Sequence, residues 1–390
     1  MRHAFFYIYY TLSVLVYILA LPVVLYFSFR SKYKQSLPAR FFLQKTPPFK
    51  EEGIWFHACS LGEAKALEPF IEKITKDPVN ISVITHTGFS AASSYKNASV
   101  RYLPYELFLP FWIKKQKLLI VLEAELWYLL FAVAKAKGIK TVLLNARISD
   151  RSYPKYLKMK WFYSRLLKHV DLIYVQSETD AERFRSLGAH NPKVIGNIKL
   201  AQKIMATQTY VKPSGLSFVG GSTHVGEEKA ILDAYVEFKK VHKENSHLIL
   251  VPRHPERFEA VHQMMSEYAQ EHGLRYVRFS QEPDLEADIV LVDKMGELNN
   301  IYKVSDICIL GGAFTPVGGH NPLEPVHFGC KIITGHQIFN QRELFKYVKN
   351  VQFIHEEELA SAMEKAIDMS ASSIEESVDL DEIHTLIRGS

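Results

Sequence analysis

Cysteine is scarce in this chain of 390 residues, and the three that occur, Cys59, Cys308 and Cys330, stand far apart among apolar or small residues. This spacing favours neither a disulfide framework nor a cysteine metal cluster, and it suggests a reducing compartment. The 16 histidines do not show the His-x-x-x-His spacing typical of zinc ligands on a helix. The cysteine and histidine spacings therefore do not support a dedicated zinc site.

Repeats and low-complexity runs are also missing, and the excess of positive charge is small, with a formal net charge of +5. A hydrophobic content of 47% with 23% charged residues is typical of a folded, enzyme-sized protein. The small positive excess, without a zinc-finger, RRM-like or helix-turn-helix motif, argues against nucleic acid as a partner. The length predicts two domains of roughly 100–200 residues each and a small extra element.

An apolar segment without charge extends from Ala4 to Phe29. It is longer than the about 20 residues that cross a hydrocarbon core and longer than the apolar part of a signal peptide. Its aromatic residues and Pro22 leave two possibilities open, a single-pass helix or a helix in the membrane interface. The basic residues that follow place the rest of the chain on the cytoplasmic side. They are Arg30, Lys32, Lys34, Arg40 and Lys45.

Short apolar runs alternate with amphipathic stretches after Pro48, which predicts an α/β fold with parallel sheets. One series comprises GIWFHA, ISVITH, LLIVLEAELW, KTVLLNA and DLIYVQS, and a second comprises LSFVGG, HLILVPR, DIVLVD, DICILGG and CKIITG. We expect two doubly wound, Rossmann-like domains that face a cleft, with ligands beyond the carboxyl ends of the strands. The expected division is an anchor at 1–30, a first domain at 31–205 and a second at 206–390.

Glu63 follows the first strand of the first domain and opens a helix expected to continue to about Lys73. A carboxylate here could simply favour the helix dipole. A strand-end Gly62-Glu63 pair that faces a ligand could also hold a general base. Taken alone, Glu63 would favour the first interpretation, a residue of the first helical turn.

Three glycine-rich or rigid turns follow strands of the second domain. Gly220–His224 lets the backbone approach a ligand at a helix amino end, although an ordinary capped turn would look the same. Pro252–Pro255 projects a fixed Arg253 and His254, suited to phosphate unless Arg253 pairs with a nearby carboxylate. Gly318–Pro325 adds Asn321 and Glu324, and a carboxylate there can accept hydrogen bonds from a ribose diol. Together these turns indicate a nucleotide-sugar site.

Taken in order, these segments resemble the bacterial 3-deoxy-D-manno-octulosonic acid (Kdo) transferases over nearly the whole chain. The resemblance is carried by WFHACSLGE, EAELW, NARISDRSY, QSETDAERFRSLGA, GNIK, GGSTHVGEE, LVPRHPERF, MGELNNIYKVSD, GGAFTPVGGHNPLEP and TGHQIFN. It implies a GT-B fold, CMP-Kdo as co-substrate, a lipid A precursor as acceptor, inversion at the anomeric carbon and no metal or cofactor. It also implies attachment to the inner membrane.

The resemblance implies that Glu63 is the general base. It assigns the CMP moiety to a set of residues in the second domain, namely Gly221, Ser222, Thr223, Arg253, His254, Met295, Gly296, Glu297, Asn321 and Glu324. Gly62, Glu125 and Arg147 are expected on the acceptor side. The chain departs from the family pattern at Ala124, Tyr128 and Glu106, which concerns the acceptor side. A related enzyme with a UDP- or GDP-sugar, or a binding protein without catalysis, remains an alternative.

Overall fold

The computed structural model describes residues 2–31, 33–242, 245–375 and 378–389, so Lys32 of the basic run lies outside the described residues. The chain forms two compact units. Unit 1 comprises Met1–Lys203 with Ser377–Ser390, and unit 2 comprises Ile204–Glu376.

Unit 1 is built on a parallel sheet of seven strands. Their bounds are β1 Ile54–Ala58, β2 Val79–Val83, β3 Ala98–Tyr102, β4 Leu118–Leu122, β5 Lys140–Ala146, β6 Leu172–Val175 and β7 Lys193–Val194. The spatial order is β3-β2-β1-β4-β5-β6-β7. Strands β1, β2 and β4 are buried along their whole length because helices cover both faces of the sheet, which explains their continuous apolar runs.

The helices of unit 1 are mostly short. They are α1 Arg2–Ser28, α2 Ser36–Phe42, α3 Leu61–Lys65, α4 Glu68–Ile71, α5 His86–Ala92, α6 Leu109–Trp112, α7 Tyr128–Ala136, α8 Tyr153–Lys158, α9 Lys160–Leu167 and α10 Glu178–Ser186, with 3-10 turns at Glu106–Phe108 and Ile198–Ala201. The single helix expected from Glu63 to Lys73 is wrong. Pro69 has no N–H for the carbonyl of Lys65, so α3 ends there and α4 begins separately.

The division predicted at 206–390 also needs a correction. Helix α17, Asp381–Arg388, belongs to unit 1 although the chain before it forms unit 2. Its Ile383 and Ile387 are buried in the same apolar cluster as Phe56 and Phe70 of unit 1. Burial of this apolar stripe stabilises the return of the chain to the first unit.

Unit 2 contains a second parallel sheet of seven strands and a two-stranded antiparallel ribbon. The strands are β8 Leu216–Thr223, β9 Ser246–Pro252, β10 Tyr276–Arg278, β11 Ile289–Leu291, β12 Ile307–Leu310, β13 Lys331–Thr334, β14 Val348–Lys349, β15 Val351–Phe353 and β16 Ser373–Ile374. The sheet order is β10-β11-β9-β8-β12-β13-β15, and β14 pairs with β16. The helices are α11 Glu227–Val241, α12 Phe258–His272, α13 Leu298–Tyr302, α14 Leu323–His327, α15 Arg342–Phe345 and α16 Leu359–Asp368, with 3-10 turns at Pro255–Arg257 and Glu356–Glu358.

The apolar segment near the amino terminus forms α1, and its stretch Ala4–Ser28 is long and apolar enough to cross a membrane. The helix also contacts unit 1. Phe5, Phe6, Tyr9 and Tyr10 pack against the apolar cluster that contains Tyr128. The helix therefore has one face on the protein and another that carries exposed apolar side chains.

Candidate active site

The strand order of unit 1 identifies where a site can form. The chain runs outward from β1 through β2 to β3 and then returns to the other side of β1 with β4. The loops after β1 and β4 therefore diverge, and such a point of reversal leaves a crevice at the carboxyl ends of the two strands. Glu63 follows β1, and Glu123 and Glu125 follow β4. The topology thus brings three carboxylates to one edge.

Glu63 is held in a fixed position by the amino end of α3. Its Oε2 accepts a hydrogen bond of 2.7 Å from the backbone N–H of Cys59, and its Oε1 accepts one of 2.8 Å from the hydroxyl of Ser60. Ser60 in turn caps α3 by accepting from the Glu63 N–H at 3.4 Å. This arrangement differs from a capping box only in that the carboxylate accepts from the N–H of Cys59, the residue before the cap, and not from that of Ser60. It orients the carboxylate through two uncharged donors.

Burial has a large effect on this carboxylate. The Glu63 residue is only 7% exposed. Burial, assisted by the negative charges of Glu123 and Glu125, raises the pKa of Glu63 to about 7, against the lowering effect of its two hydrogen-bond donors. A carboxyl group with such a pKa can accept a proton near neutral pH far better than an ordinary surface glutamate. The arrangement suits a general base.

The residues around Glu63 include Glu123, which the sequence analysis did not select, and Glu125, which it expected on the acceptor side. Glu123 has a positive φ of 54° directly after β4, and it pairs with Lys199 at 2.5 Å. Glu125 accepts a hydrogen bond of 2.7 Å from the indole N–H of Trp127. The sequence shows Glu123 as an acid at the end of a predicted strand. Only the strand order shows that this strand, β4, lies next to β1 and so brings Glu123 close to Glu63.

The other expected acceptor-side residues differ in surroundings. Gly62 is exposed, and among the described residues no atom lies within 4 Å of where its Cβ would stand. Arg147 is half-buried and follows β5, the neighbour of β4, at the same edge of the sheet. Arg40 was expected only in the basic run, yet it is half-buried, donates from Nε to the Leu103 carbonyl at 3.0 Å, and has its pKa lowered chiefly by burial.

Unit 2 has its own point of reversal, between β8 and β12. The chain moves from β8 to β9 on one side and returns with β12 on the other. Gly221, Ser222 and Thr223 end β8, and Ser222 has a positive φ of 56° at a shift in the pairing of β8 with β9. A Cβ on Gly221 would lie 2.3 Å from the Tyr302 hydroxyl, so only glycine fits there. The hydroxyl of Thr223 is buried and has no hydrogen-bond partner among the described residues.

Glu227, which the sequence analysis missed, ties the two loops of this edge together. Its buried carboxylate accepts hydrogen bonds from the backbone N–H groups of His224 at 2.9 Å, Gly312 at 2.9 Å and Phe314 at 3.2 Å. Glu227 and Glu228 form the first turn of α11, and Glu228 makes a bidentate ion pair with Arg257 at 2.6 and 3.0 Å. These two acids stabilise the loops and do not face a ligand as free charges.

Cations and imidazoles collect at the same edge. Arg253 and His254 are exposed after β9, and Arg253 makes no ion pair with any residue in the described parts of the chain. The Nε2 atoms of His224 and His320 lie 2.8 Å apart, and the ring of His254 lies 5.3 Å from that of His224. Burial lowers the pKa of both His224 and His320, to about 4 for His320. The edge therefore suits an anionic ligand.

The turn from Met295 to Glu297 divides into an open part and a buried part. Met295 is exposed, and Gly296 has a positive φ of 86°. The carboxylate of Glu297, by contrast, is buried and accepts hydrogen bonds from the Tyr210 hydroxyl at 2.8 Å and the Asn300 amide at 2.7 Å. Its side chain anchors the start of unit 2, so any ligand contact at this turn would come from its backbone or from Met295.

Asn321 and Glu324 lie together at the start of α14. The Oδ1 of Asn321 accepts from the Leu323 N–H at 3.1 Å, and its amide nitrogen donates to Glu324 Oε1 at 3.4 Å. The charge of Glu324 contributes to raising the pKa of Tyr302, whose dominant cause is burial, and the Tyr302 hydroxyl lies beside Gly221. Glu324 is therefore near the glycine-rich end of β8.

Comparison with known proteins identifies the relatives of this chain. A family model described as 3-deoxy-D-manno-octulosonic-acid transferase (kdotransferase) matches residues 35–202. A 3-deoxy-D-manno-octulosonic acid transferase of Haemophilus influenzae is 33% identical over 370 residues, which cover 88% of this chain and 85% of that protein. A bifunctional glycosyltransferase/methyltransferase of Fusobacterium nucleatum is 34% identical over 363 residues, 84% of this chain and 52% of that protein. The chain thus spans about half the length of the Fusobacterium relative.

A solved structure supports the architecture alone. UDP-GlcNAc 2-epimerase from Neisseria meningitidis, bound to UDP-GlcNAc, is 10% identical, with a TM-score of 0.51 over 81% of this chain and 91% of that chain. It confirms the predicted class of two parallel-sheet α/β domains of the GT-B type. The extent and identity of the Haemophilus match confirm the resemblance read from the motifs. This chain belongs to the 3-deoxy-D-manno-octulosonic-acid transferase family of glycosyltransferases.

Proposed function

We propose that this protein transfers Kdo from CMP-Kdo to a hydroxyl group of a lipid A precursor, with inversion at the anomeric carbon. The observation that carries the proposal is the buried, oriented Glu63 with its pKa raised to about 7. Among the neighbouring acids, Glu123 is ion-paired with Lys199 and Glu125 accepts a hydrogen bond from the Trp127 indole, whereas Glu63 is buried and accepts from the Cys59 N–H and the Ser60 hydroxyl. It is the group best suited to remove a proton from an attacking hydroxyl.

The edge of unit 2 is the proposed binding site for the donor. An exposed Arg253 without an ion pair in the described residues can meet phosphate, and Gly221 allows close approach of the backbone. Glu324 and Asn321 lie beside this strand end and offer hydrogen-bond acceptors and donors for the ribose. The match with curated transferases named for 3-deoxy-D-manno-octulosonic acid supports Kdo as the transferred sugar.

The proposed step consists of a proton transfer, the formation of one bond and the departure of CMP. Glu63 accepts the proton of the acceptor hydroxyl, whose oxygen forms a bond to the anomeric carbon of Kdo from the face opposite the phosphate. The bond between that carbon and the phosphate oxygen breaks, and CMP leaves with the electron pair. Arg253 would stabilise the charge that develops on CMP, which is usually the largest catalytic contribution. The proposal includes no metal, so transfer should persist in excess EDTA.

Membrane attachment through α1 is part of this proposal, because a lipid acceptor resides at a membrane surface. The length and apolar character of Ala4–Ser28 support it, and we place the enzyme at the inner membrane with its catalytic units in the cytoplasm.

Incubation of the full-length protein with CMP-Kdo and a lipid A precursor tests the function. Mass spectrometry should show the precursor heavier by at least one Kdo residue, and NMR of the product should show the anomeric configuration opposite to that of the donor. Thermal protection by CMP, but not by UDP or GDP at the same concentration, should identify the donor nucleotide. An unmodified precursor, or selective protection by UDP or GDP, would contradict the assignment.

A further inference from the structure

Helix α1 packs on unit 1 along most of its length. Near its start, Phe5 lies edge-on to Tyr128 with ring centroids 5.0 Å apart, and the hydroxyl of Tyr9 donates to Glu106 at 2.6 Å. In its middle, Tyr17 donates to the Phe41 carbonyl at 2.7 Å. Ser13 and Val24, spaced on the same stripe, are buried. From Phe5 to Val24 the contact extends about 28 Å along the helix axis.

The opposite side of the helix is apolar and open. A second stripe with helical spacing carries the exposed side chains Ile8, Leu12, Leu15, Leu19 and Val23, and Leu19 is 79% exposed. Such a long uncovered apolar stripe is unfavourable in water. Its aliphatic residues recur every three or four positions and therefore lie on one face of the helix. One flat apolar layer can therefore cover the whole stripe.

Cations and an exposed aromatic residue border this stripe. The guanidinium of Arg165 lies 5.4 Å from the ring of Phe5, and that of Arg30 lies 5.3 Å from the ring of Tyr26. Trp161, 52% exposed, contacts Phe5 edge-on at 6.2 Å. The segment 154–170 around them contains five Lys or Arg residues and no acid. Indole rings and basic side chains favour the headgroup region of an anionic bilayer.

A helix that crossed the bilayer while docked in this way would carry its partner surface into the hydrocarbon. That surface includes the carboxylate of Glu106, the guanidinium of Arg165 and the exposed lysines of segment 154–170. Charged groups in the hydrocarbon core are strongly disfavoured. A contact of about 28 Å nearly equals the thickness of that core, about 30 Å, so the conflict would extend through the whole membrane.

We infer that α1 does not span the bilayer but lies flat in one leaflet, clamped between unit 1 and the acyl chains, with segment 154–170 on anionic headgroups. The occupant of the open stripe is thus the lipid bilayer. Under the proposed function, this placement of α1 also serves the lipid acceptor. Tyr17 stacks on Phe41, and the adjacent Arg40 is close enough to influence the pKa of Cys59 beside Glu63. A lipid acceptor could therefore present its headgroup to Glu63 without leaving the membrane surface.

Depth measurements on full-length protein in vesicles of phosphatidylcholine and phosphatidylglycerol test this geometry. A nitroxide attached to a ketone-bearing amino acid at Ile8, Leu15 or Val23, which leaves Cys59 native, reports its depth through collisions with oxygen and a nickel chelate. A flat helix gives three depths that agree within about one helical pitch of 5.4 Å. A spanning helix puts Leu15 about 10 Å deeper than Ile8, and this result would overturn the inference. A label at Ser13 is the matched control and should collide with neither reagent, because that position faces the protein.

The charged border gives an independent measurement. Arg165→Gln and Lys158→Gln should each weaken binding to anionic vesicles about fivefold and leave binding to neutral vesicles unchanged. Lys229→Gln, in unit 2, is the control and should change neither. Equal binding of all variants to anionic vesicles would refute the headgroup contact. CMP binding to the same variants reports the donor site separately, so failure of the membrane geometry would be distinguishable from failure of the proposed function.

Discussion

Replacement of Glu63 by glutamine is the most informative perturbation of the proposed reaction. The amide retains the size of the side chain and most of its contacts. Its oxygen can accept from the Cys59 N–H, and its NH₂ group can donate to the Ser60 hydroxyl, which turns from donor to acceptor. The fold and the cap of α3 should survive, so a loss of rate would report the missing basicity.

The size of the loss follows from the role. Proton abstraction by a placed base contributes typically about 10²–10⁴-fold, so transfer by Glu63→Gln should fall by at least about 10²-fold. CMP affinity, measured by titration calorimetry, should remain the same because Glu63 is proposed to act on the acceptor. Retention of more than about a tenth of the activity would refute the assignment of Glu63 as the base.

The pH dependence gives a second measurement on the same residue. A base must be deprotonated to act, and the pKa of Glu63 is raised to about 7. The rate at saturating donor should therefore rise with pH through about 7 and level off above it. Glu123→Gln removes a negative neighbour and should move this inflection to lower pH. An inflection that stays in place in that variant would contradict the electrostatic account.

Four further predictions concern the remaining structure. Gly221→Ala should abolish CMP binding and lower the free energy of unfolding of unit 2 by about 1–3 kcal/mol in urea titrations, because the new Cβ would collide with buried Tyr302. Gly62→Ala is the control and should have the same free energy of unfolding as the parent. Glu227→Gln should lower the free energy of unfolding of unit 2 by about 1–3 kcal/mol and weaken CMP binding, because the NH₂ group of glutamine would face backbone N–H donors. Glu324→Ala should raise the Kd for CMP in calorimetry more than it lowers the rate at saturation. A chain that starts after Arg30 should lose stability in unit 1, seen as a lower Tm, because Tyr128 loses its contacts with α1.

The sequence predicted most of the sheets because buried parallel strands are continuous apolar runs. β1, β4 and β9 are of this kind, and all were recognised. β3 was missed, since its sequence ASVRY is half-exposed at the edge of the sheet and carries no clear apolar pattern. The return of α17 to unit 1 could not be predicted either. Its apolar stripe indicates a helix that packs on something, but a pattern of this kind does not identify the partner.

A residue of the site could be predicted where it belongs to a sequence motif. Residues that reach the site from distant strands could not be predicted. Glu63 was selected from its place after β1. Glu123, whose charge helps to raise the pKa of Glu63, and its partner Lys199 are 60 or more residues from Glu63 in the sequence, and only the strand order brings Glu123 to the same edge. Glu297 illustrates the opposite case. The motif selects it, yet its carboxylate is buried against Tyr210 and Asn300.

The same topology has opposite electrostatic character in the two units, and this contrast supports the assignment of donor and acceptor. At the reversal of unit 1 three carboxylates lie together, Glu63, Glu123 and Glu125, and they disfavour a phosphate although Lys199 pairs with Glu123. At the reversal of unit 2, Arg253 and three histidines surround glycine-rich backbone, while the carboxylate of Glu227 accepts hydrogen bonds from backbone N–H groups. An anionic nucleotide is therefore favoured in unit 2. A neutral hydroxyl that must lose a proton is favoured in unit 1, where burial and the neighbouring carboxylates keep the proton affinity of Glu63 high.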